Sequence, residues 1–174
     1  MDLAKMIRDV PDFPVKGVLF KDITTLIGDP DAFQEAVGAL ADLIDQHVEG
    51  GVDLVAAIES RGFIFGAPLA YELVAGFVPI RKPGKLPSEK ISASYTLEYG
   101  TNTLEMHKDA IRPGQRVLLV DDVLATGGSA KAAAELIERL GGQVVGMAFL
   151  VDITYLHGME KLQGYNAFSL IKFS

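Results

Sequence analysis

Apolar positions along this chain fall into short runs separated by helical stripes, the pattern of a sheet covered by helices. Val52 to Ile58 is an apolar run bounded by turn residues and predicts a buried strand. Phe77 to Ile80, Arg116 to Val120, Val144 to Val151 and Ala167 to Phe173 predict four more. Phe33, Ala36, Val37, Leu40, Leu43 and Ile44 recur at helical spacing behind Asp29-Pro30. That dipeptide is a helix start, with Asp29 as cap and Pro30 at the first helical position, and Gly50-Gly51 ends the element. A second helix is predicted within Gly62 to Ala75, with Pro68 near its first turn because proline lacks the N–H an interior position needs. Ala132, Ala133, Leu136, Ile137 and Leu140 predict a third after Gly127, stopped by Gly141-Gly142. From Ile91 the pattern alternates: Ile91, Ala93, Tyr95, Leu97 and Tyr99 share one face, and Ser92, Ser94, Thr96 and Glu98 the other. Gly100-Thr101-Asn102 predicts the turn of a hairpin there.

Strands alternating with helices predict an α/β fold: a doubly wound, mostly parallel five-stranded sheet with helices on both faces. Right-handed crossovers favour strand order 2-1-3-4-5, whose switch point lies between the first and third strands. The loops after Ile58 and after Val120 then flank one crevice. Arg81 to Lys90, with two prolines, a glycine and four basic residues, predicts a mobile loop.

Composition narrows the chemistry. A length of 174 residues suits one domain with a sizeable core, and 49% apolar residues is an ordinary globular content. The absence of cysteine excludes disulfides, thiolate catalysis and Cys-ligated metals. Asp2, Lys5, Arg8 and Asp9 with no apolar run argue against a signal peptide. No stretch approaches the roughly 18 apolar residues that span a bilayer, so a cytoplasmic location is expected. A net charge of −7 argues against sequence-independent nucleic-acid binding but leaves room for a small anionic ligand in a local cluster. His47, His107 and His157 are scattered without ligand spacing and are read as structural.

The densest chemistry lies in Val117 to Ser129, Val-Leu-Leu-Val-Asp-Asp-Val-Leu-Ala-Thr-Gly-Gly-Ser. A buried strand runs into two acids, then into a loop of small and hydroxyl residues, then into a helix. Gly127 and Gly128 let a ligand approach the backbone closely. Amides at a helix start, with the Thr126 and Ser129 hydroxyls, suit a phosphate. Asp121 and Asp122, acceptors only, suit the two hydroxyls of a ribose. The plainer alternative is a strand-to-helix turn with an acidic cap.

This segment resembles the phosphoribosyl-pyrophosphate signature of the type I phosphoribosyltransferases. Phe13 to Thr24, Glu59-Ser60-Arg61-Gly62-Phe63 and Ala93 to Gly100 are similar to the adenine-specific branch of that family, and Arg81 to Pro87 is similar to its mobile loop. Lys21 stands where the family often has arginine, and Ser129 where it often has threonine.

The resemblance implies a single domain over 1–174, with about 1–30 an N-terminal hood and about 81–105 a mobile loop and hairpin. It implies adenine and 5-phospho-α-D-ribose 1-diphosphate as substrates, AMP and pyrophosphate as products, and a homodimer. Neither nucleic acid nor membrane is an expected partner. Mg²⁺ is the implied cofactor, held mainly by substrate with no protein ligand directly. Ala125, Thr126, Gly127, Gly128 and Ser129 would anchor the 5′-phosphate, and Asp121 and Asp122 the ribose. Ser60, Arg61 and Gly62 would bind pyrophosphate, with a cis peptide before Ser60. Arg81, Lys82 and Lys85 would join them, with Lys90 in the same loop and Arg81 reaching a neighbouring subunit's site. Arg61 would also act catalytically on the leaving group, and Glu98 would exchange a proton at purine N7. Phe20 would pack on the base while backbone groups of Leu19 and Lys21 meet its Watson–Crick edge. Taken without the resemblance, these read more simply as a surface arginine, a solvated strand glutamate and N-terminal packing, and the basic loop reads as well as a solvated one. Two rival functions stay open. One is a transferase for hypoxanthine, guanine or xanthine, against which Phe13 to Lys21 argues. The other is a non-catalytic phosphoribosyl-pyrophosphate-sensing regulator, which should carry a DNA-binding unit or a basic face.

Overall fold

A computed structural model describes residues 1–97 and 100–174. Glu98 and Tyr99, and with them the proton role expected of Glu98, lie outside the described residues. The contacts group into two compact units, Met1–Ala39 and Leu40–Ser174.

In the first unit a 3-10 turn, Leu3–Met6, leads into β1 (Arg8–Val10), which pairs antiparallel with β2 (Phe20–Asp22). Two three-residue strands are marginal by themselves, and side chains supply the ties. Arg8 Nε donates to Asp22 Oδ2 at 3.0 Å, and Lys21 Nζ donates to Asp9 Oδ1 at 2.6 Å. The other Asp22 oxygen accepts the Thr24 hydroxyl at 2.6 Å and the Thr24 amide at 2.9 Å. Those two bonds, then Arg8, hold the Asp22 carboxyl at about 2, below its ordinary 3.8. The stabilisation is therefore complete above the unfolded value and is lost as pH falls from about 4 through about 2. A carboxyl NMR titration of Asp22 should give a midpoint near 2, and one near 3.8 would show that these bonds are not kept in solution. The chain continues into α1 (Thr24–Ile27) and α2 (Pro30–His47). Asp29 Oδ1 accepts from the Ala32 amide at 2.9 Å, the cap the sequence predicts.

The second unit runs β3 (Leu54–Ile58), α3 (Arg61–Leu73), β4 (Gly76–Ile80), β5 (Lys90–Leu97), β6 (Gly100–His107), β7 (Arg116–Leu124), α4 (Gly128–Arg139), β8 (Gln143–Ile153), α5 (Gly158–Lys161) and β9 (Ala167–Phe173). Five strands form a parallel sheet in the order β4-β3-β7-β8-β9, while β5 and β6 form a separate antiparallel hairpin. The predicted strand order is thus the observed one. Ala56, Ile58, Val117, Leu119, Met147 and Phe149 pack with α4 and the hairpin in one apolar cluster. On the other side, α3 comes so close to the sheet at Gly66 that an added Cβ would lie 2.6 Å from the Ala57 Cβ. Each large aliphatic side chain buried this way contributes about 1.5–3 kcal/mol.

Three expectations are corrected. The central strand does not end at Val120: β7 continues to Leu124, pairing with β8 as far as Leu124↔Asp152. Asp121 and Asp122 are therefore strand residues, their backbone fixed by the ladder. Pro68 is not near the start of α3; it lies well inside the helix. Its missing N–H is tolerated because Phe65, Leu69 and Ala70 around it are buried. Gly100, Thr101 and Asn102 are not the hairpin turn; they already pair with Leu97, Thr96 and Tyr95.

Candidate active site

In a parallel sheet the C-terminal ends of all strands open on one edge, and the crevice forms where the order reverses, here between β3 and β7. Both signature segments leave the sheet at that point. Beyond β3 the chain runs through Glu59-Ser60, whose peptide bond is cis, into α3 at Arg61. Beyond β7 it runs through residues 125–127 into α4. The two segments touch: a Cβ on Gly62 would lie 2.8 Å from Asp121 Oδ1 and 3.3 Å from the Val120 carbonyl oxygen. An added side chain there would force the Asp121 carboxylate to shift.

Arg61 and Asp122, 61 positions apart in sequence, meet across this crevice, with Arg61 Nε donating to Asp122 Oδ2 at 2.6 Å. The Asp122 side chain is 5% exposed and the Arg61 side chain 51% exposed, so a buried carboxylate is neutralised by a guanidinium that still faces solvent. Successive strand residues point to opposite faces, and Asp121 accordingly has other surroundings. Its Oδ1 accepts the Asp122 amide at 2.9 Å. Burial pushes the Asp121 carboxyl well above the ordinary carboxylate range, the Asp122 carboxyl adds to the rise, and Arg61 offsets only part of it. A diol placed here would meet one ion-paired carboxylate and one with a raised proton affinity.

The loop into α4 leaves the sheet at the switch point, and its glycines also meet a packing demand. Gly127 has φ +88° and its Cβ position lies 2.7 Å from the Gly158 carbonyl oxygen, while that of Gly128 lies 3.0 Å from the Tyr95 ring. The missing side chains make room for α5 and for the hairpin, and both glycines are buried. What remains for a ligand is the backbone. Among the described residues the amides of Thr126, Gly127, Gly128 and Ser129 donate to no protein acceptor, and Gly127 provides no side-chain cap. Thr126 is exposed, and Ala125 and Ser129 are half-buried. Four amides at the start of a three-turn helix can bind an anion of phosphate size.

The basic segment begins at the end of β4. Arg81 Nε donates to Glu59 Oε1 at 3.1 Å, and the Lys82 amide donates to the same oxygen at 2.8 Å. Burial would raise the Glu59 carboxyl, but these two donors outweigh it and hold it below its ordinary value. Lys82 and Lys85 are exposed, whereas Leu86 is buried and pins the middle of the segment. The Gly84 amide reaches Glu105 Oε1 at 3.0 Å, and the Ser88 amide reaches His107 Nε2 at 3.4 Å. His107 thus meets the basic segment, while His47 stacks on Phe168 with ring centroids 4.6 Å apart. Glu59 opens the Glu59–Phe63 motif, but the sequence assigns it no role of its own, and Glu105, between the buried Leu104 and Met106 of β6, lies in no motif.

The expected base-binding residues lie in the first unit. Phe20 is half-buried with its ring 5.1 Å from Phe13 in an edge-on arrangement, and Leu19 is exposed. The Lys21 ammonium donates to Asp9 Oδ1 at 2.6 Å, and the residue pairs with Asp9 across the β1–β2 ladder.

The phosphoribosyl transferase domain family matches residues 25–165, from within α1 through α5. The chain is 55% identical over 172 residues to an adenine phosphoribosyltransferase of Halothermothrix orenii, covering 99% of each protein. Among solved structures, an adenine phosphoribosyltransferase of Thermoanaerobacter pseudethanolicus superposes with a TM-score of 0.92 at 54% identity, covering 99% of this chain and 98% of that one. The Saccharomyces cerevisiae enzyme, solved with an imino-altritol bisphosphate and adenine, superposes with a TM-score of 0.91 at 40% identity, covering 97% and 96%. With the strand order, the two loops at the switch point and near full-length identity all agreeing, the chain belongs to the adenine phosphoribosyltransferases.

Proposed function

We propose that this chain transfers the 5-phosphoribosyl group from 5-phospho-α-D-ribose 1-diphosphate to adenine, releasing AMP and pyrophosphate in purine salvage. The observation that carries this reading is the meeting of unlike groups at the β3–β7 switch point: unpaired amides, two acids, and an arginine 2.6 Å from one of them. Amides of residues 125–129 hold the 5′-phosphate and Asp121 and Asp122 the ribose hydroxyls. The amides around Ser60 and Gly62, with Arg61, Arg81, Lys82 and Lys85, take the diphosphate. The C1–O bond breaks with oxocarbenium character while the purine nitrogen closes on C1. Arg61 and the loop lysines counter the charge that grows on the leaving group. Glu98 takes up the proton released at N7. Phe20 stacks on the base, and backbone groups of Leu19 and Lys21 read its edge. Most of the rate gain is positioning and fixed electrostatics.

Among the described residues no group of three or more His, Asp or Glu side chains is placed to hold a metal ion, and Mg²⁺ would be held mainly by the substrate phosphates, which is how that ion commonly binds. When bound, it supplies further neutralisation of the diphosphate. Among the described residues no helix is long and apolar enough to cross a membrane, and the working assembly we propose is a cytoplasmic homodimer of single-domain chains.

The test is a panel of adenine, hypoxanthine, guanine and xanthine with the activated sugar and Mg²⁺, following pyrophosphate release by the natural chain and by Glu98→Gln. Adenine should exceed the other bases by about a hundredfold or more in kcat/KM. Glu98→Gln should lower kcat by about 10²-fold or more with the fold intact. Release with another base instead would identify a different purine transferase, and binding of the sugar without release would identify a sensor. Unchanged kcat in Glu98→Gln would remove its proton role.

A further inference from the structure

Glu105 is 7% exposed and is one of few buried acids, yet nothing in the reaction described above uses it. Both of its carboxylate oxygens are engaged, and with different parts of the molecule. Oε1 accepts the Gly84 amide at 3.0 Å, in the basic segment after β4. Oε2 accepts the Ser92 hydroxyl at 2.9 Å, on β5. Its backbone forms a two-way bridge with Arg81, whose amide donates to the Glu105 carbonyl at 2.9 Å while the Glu105 amide donates back at 2.7 Å. One residue of β6 thus grips the basic segment at Arg81 and Gly84, and through Ser92 it locks that grip to the hairpin. Lys82 and Lys85 each adjoin a gripped residue. Gly84 has φ +83° and open space at its Cβ position, so backbone conformation rather than packing sets its place, and the carboxylate fixes that conformation.

We propose that Glu105 is a positioning residue for the phosphoribosyl donor: it fixes the backbone that presents Lys82 and Lys85 to the diphosphate and ties its position to the β5–β6 hairpin. This rests on the reading of Lys82 and Lys85 given above. A buried carboxylate accepting two bonds is costly to assemble without return, and a salt-bridge role is not what recovers that cost, because its two side-chain bonds go to an amide and a hydroxyl. Its effect must pass through the segment it holds. Glutamine can keep both bonds, since its carbonyl accepts from Gly84 and its amide donates to the Ser92 hydroxyl, whereas leucine of similar size can keep neither.

The experiment compares Glu105→Gln and Glu105→Leu by steady-state kinetics with each substrate varied, together with amide hydrogen exchange. Glu105→Leu should raise KM for the phosphoribosyl donor about tenfold or more while KM for adenine stays within about twofold, and Glu105→Gln should stay within about threefold on both. Equal rises in both KM values, or none, would overturn the proposal. Exchange on the natural protein keeps the question decidable if Glu105→Leu does not fold. The Gly84 amide should exchange at least about tenfold more slowly than an unstructured amide, and full-speed exchange there would overturn it. That readout needs no turnover, so an inactive chain with a protected Gly84 would count against the transferase reading alone.

Discussion

Replacing Arg61 with methionine should lower kcat/KM for the phosphoribosyl donor by about 10²–10³-fold, the scale of removing one charge-stabilising donor from a transition state. The same substitution has a second cost that the geometry separates from the first. Asp122 is 5% exposed and its Oδ2 receives Arg61 Nε at 2.6 Å. Removing the guanidinium leaves a buried carboxylate without that donor. Breaking a fully buried pair costs about 3–5 kcal/mol. Here the arginine side is half exposed, so water screens the site and about 1–2 kcal/mol is the expected loss. The double variant Arg61→Met, Asp122→Asn removes the orphaned charge. It should recover most of the stability in urea or thermal unfolding and none of the kcat/KM. If it recovered both, the arginine would matter only as a partner for Asp122. If Arg61→Met retained natural kcat/KM, the leaving-group role would be gone. The ion pair also describes the resting protein: the group proposed for the diphosphate and the group proposed for the ribose neutralise each other. The apparent affinity for the donor should fall as salt screens the diphosphate, while affinity for the neutral base should not.

The sheet was legible because burial on both faces demands continuous apolar runs, and five such runs are what the chain presents. Where the run was broken the reading stopped short. Asp121 and Asp122 look like the end of a strand, yet the ladder to β8 continues past them through Val123 and Leu124. Position in the sheet, with Arg61 close by, allows acids inside a strand, and local polarity says nothing of that neighbour. Pro68 misled for a similar reason, since local backbone preference was outweighed by packing that only the fold assembles. The signature loops were legible because their spacing is local. The acids that organise the basic segment were not. Glu59 reaches Arg81 across 22 positions and Glu105 reaches Gly84 across 21, and a glutamate in a chain of net charge −7 reads as solvated until a fold brings a donor to it. The signature glycines carry a second demand that a motif does not display: the Gly158 carbonyl and the Tyr95 ring lie at their Cβ positions, so their small size also serves packing.

Gly158→Ala, a substitution outside every signature segment, should therefore damage donor binding. An added Cβ would lie 2.4 Å from the Ala125 carbonyl oxygen and 2.8 Å from two Leu124 side-chain carbons. The nearest atom is backbone, so no rotamer change relieves the overlap. The strain must be taken up by moving α5 or by moving the loop that starts at Ala125. Backbone preference does not contribute, because Gly158 does not have a positive φ. Overpacking of this kind costs about 1–3 kcal/mol, and a shift of about 1 Å in the groups that hold a reacting substrate costs up to about 10²-fold in rate. Thermal unfolding should show the first and a rise in KM for the phosphoribosyl donor the second, again with KM for adenine little changed. Gly38→Ala is the control: nothing lies within 4 Å of its Cβ position, and in mid-helix it should stabilise by about 0.5–1 kcal/mol. Natural KM and stability in Gly158→Ala would mean that the phosphate loop yields freely and that α5 does not support it. The opposite result would locate part of the binding energy in a contact between two glycines, Gly127 and Gly158, whose Cβ positions each collide with the other segment's backbone, so that neither can carry a side chain while the loop keeps its shape.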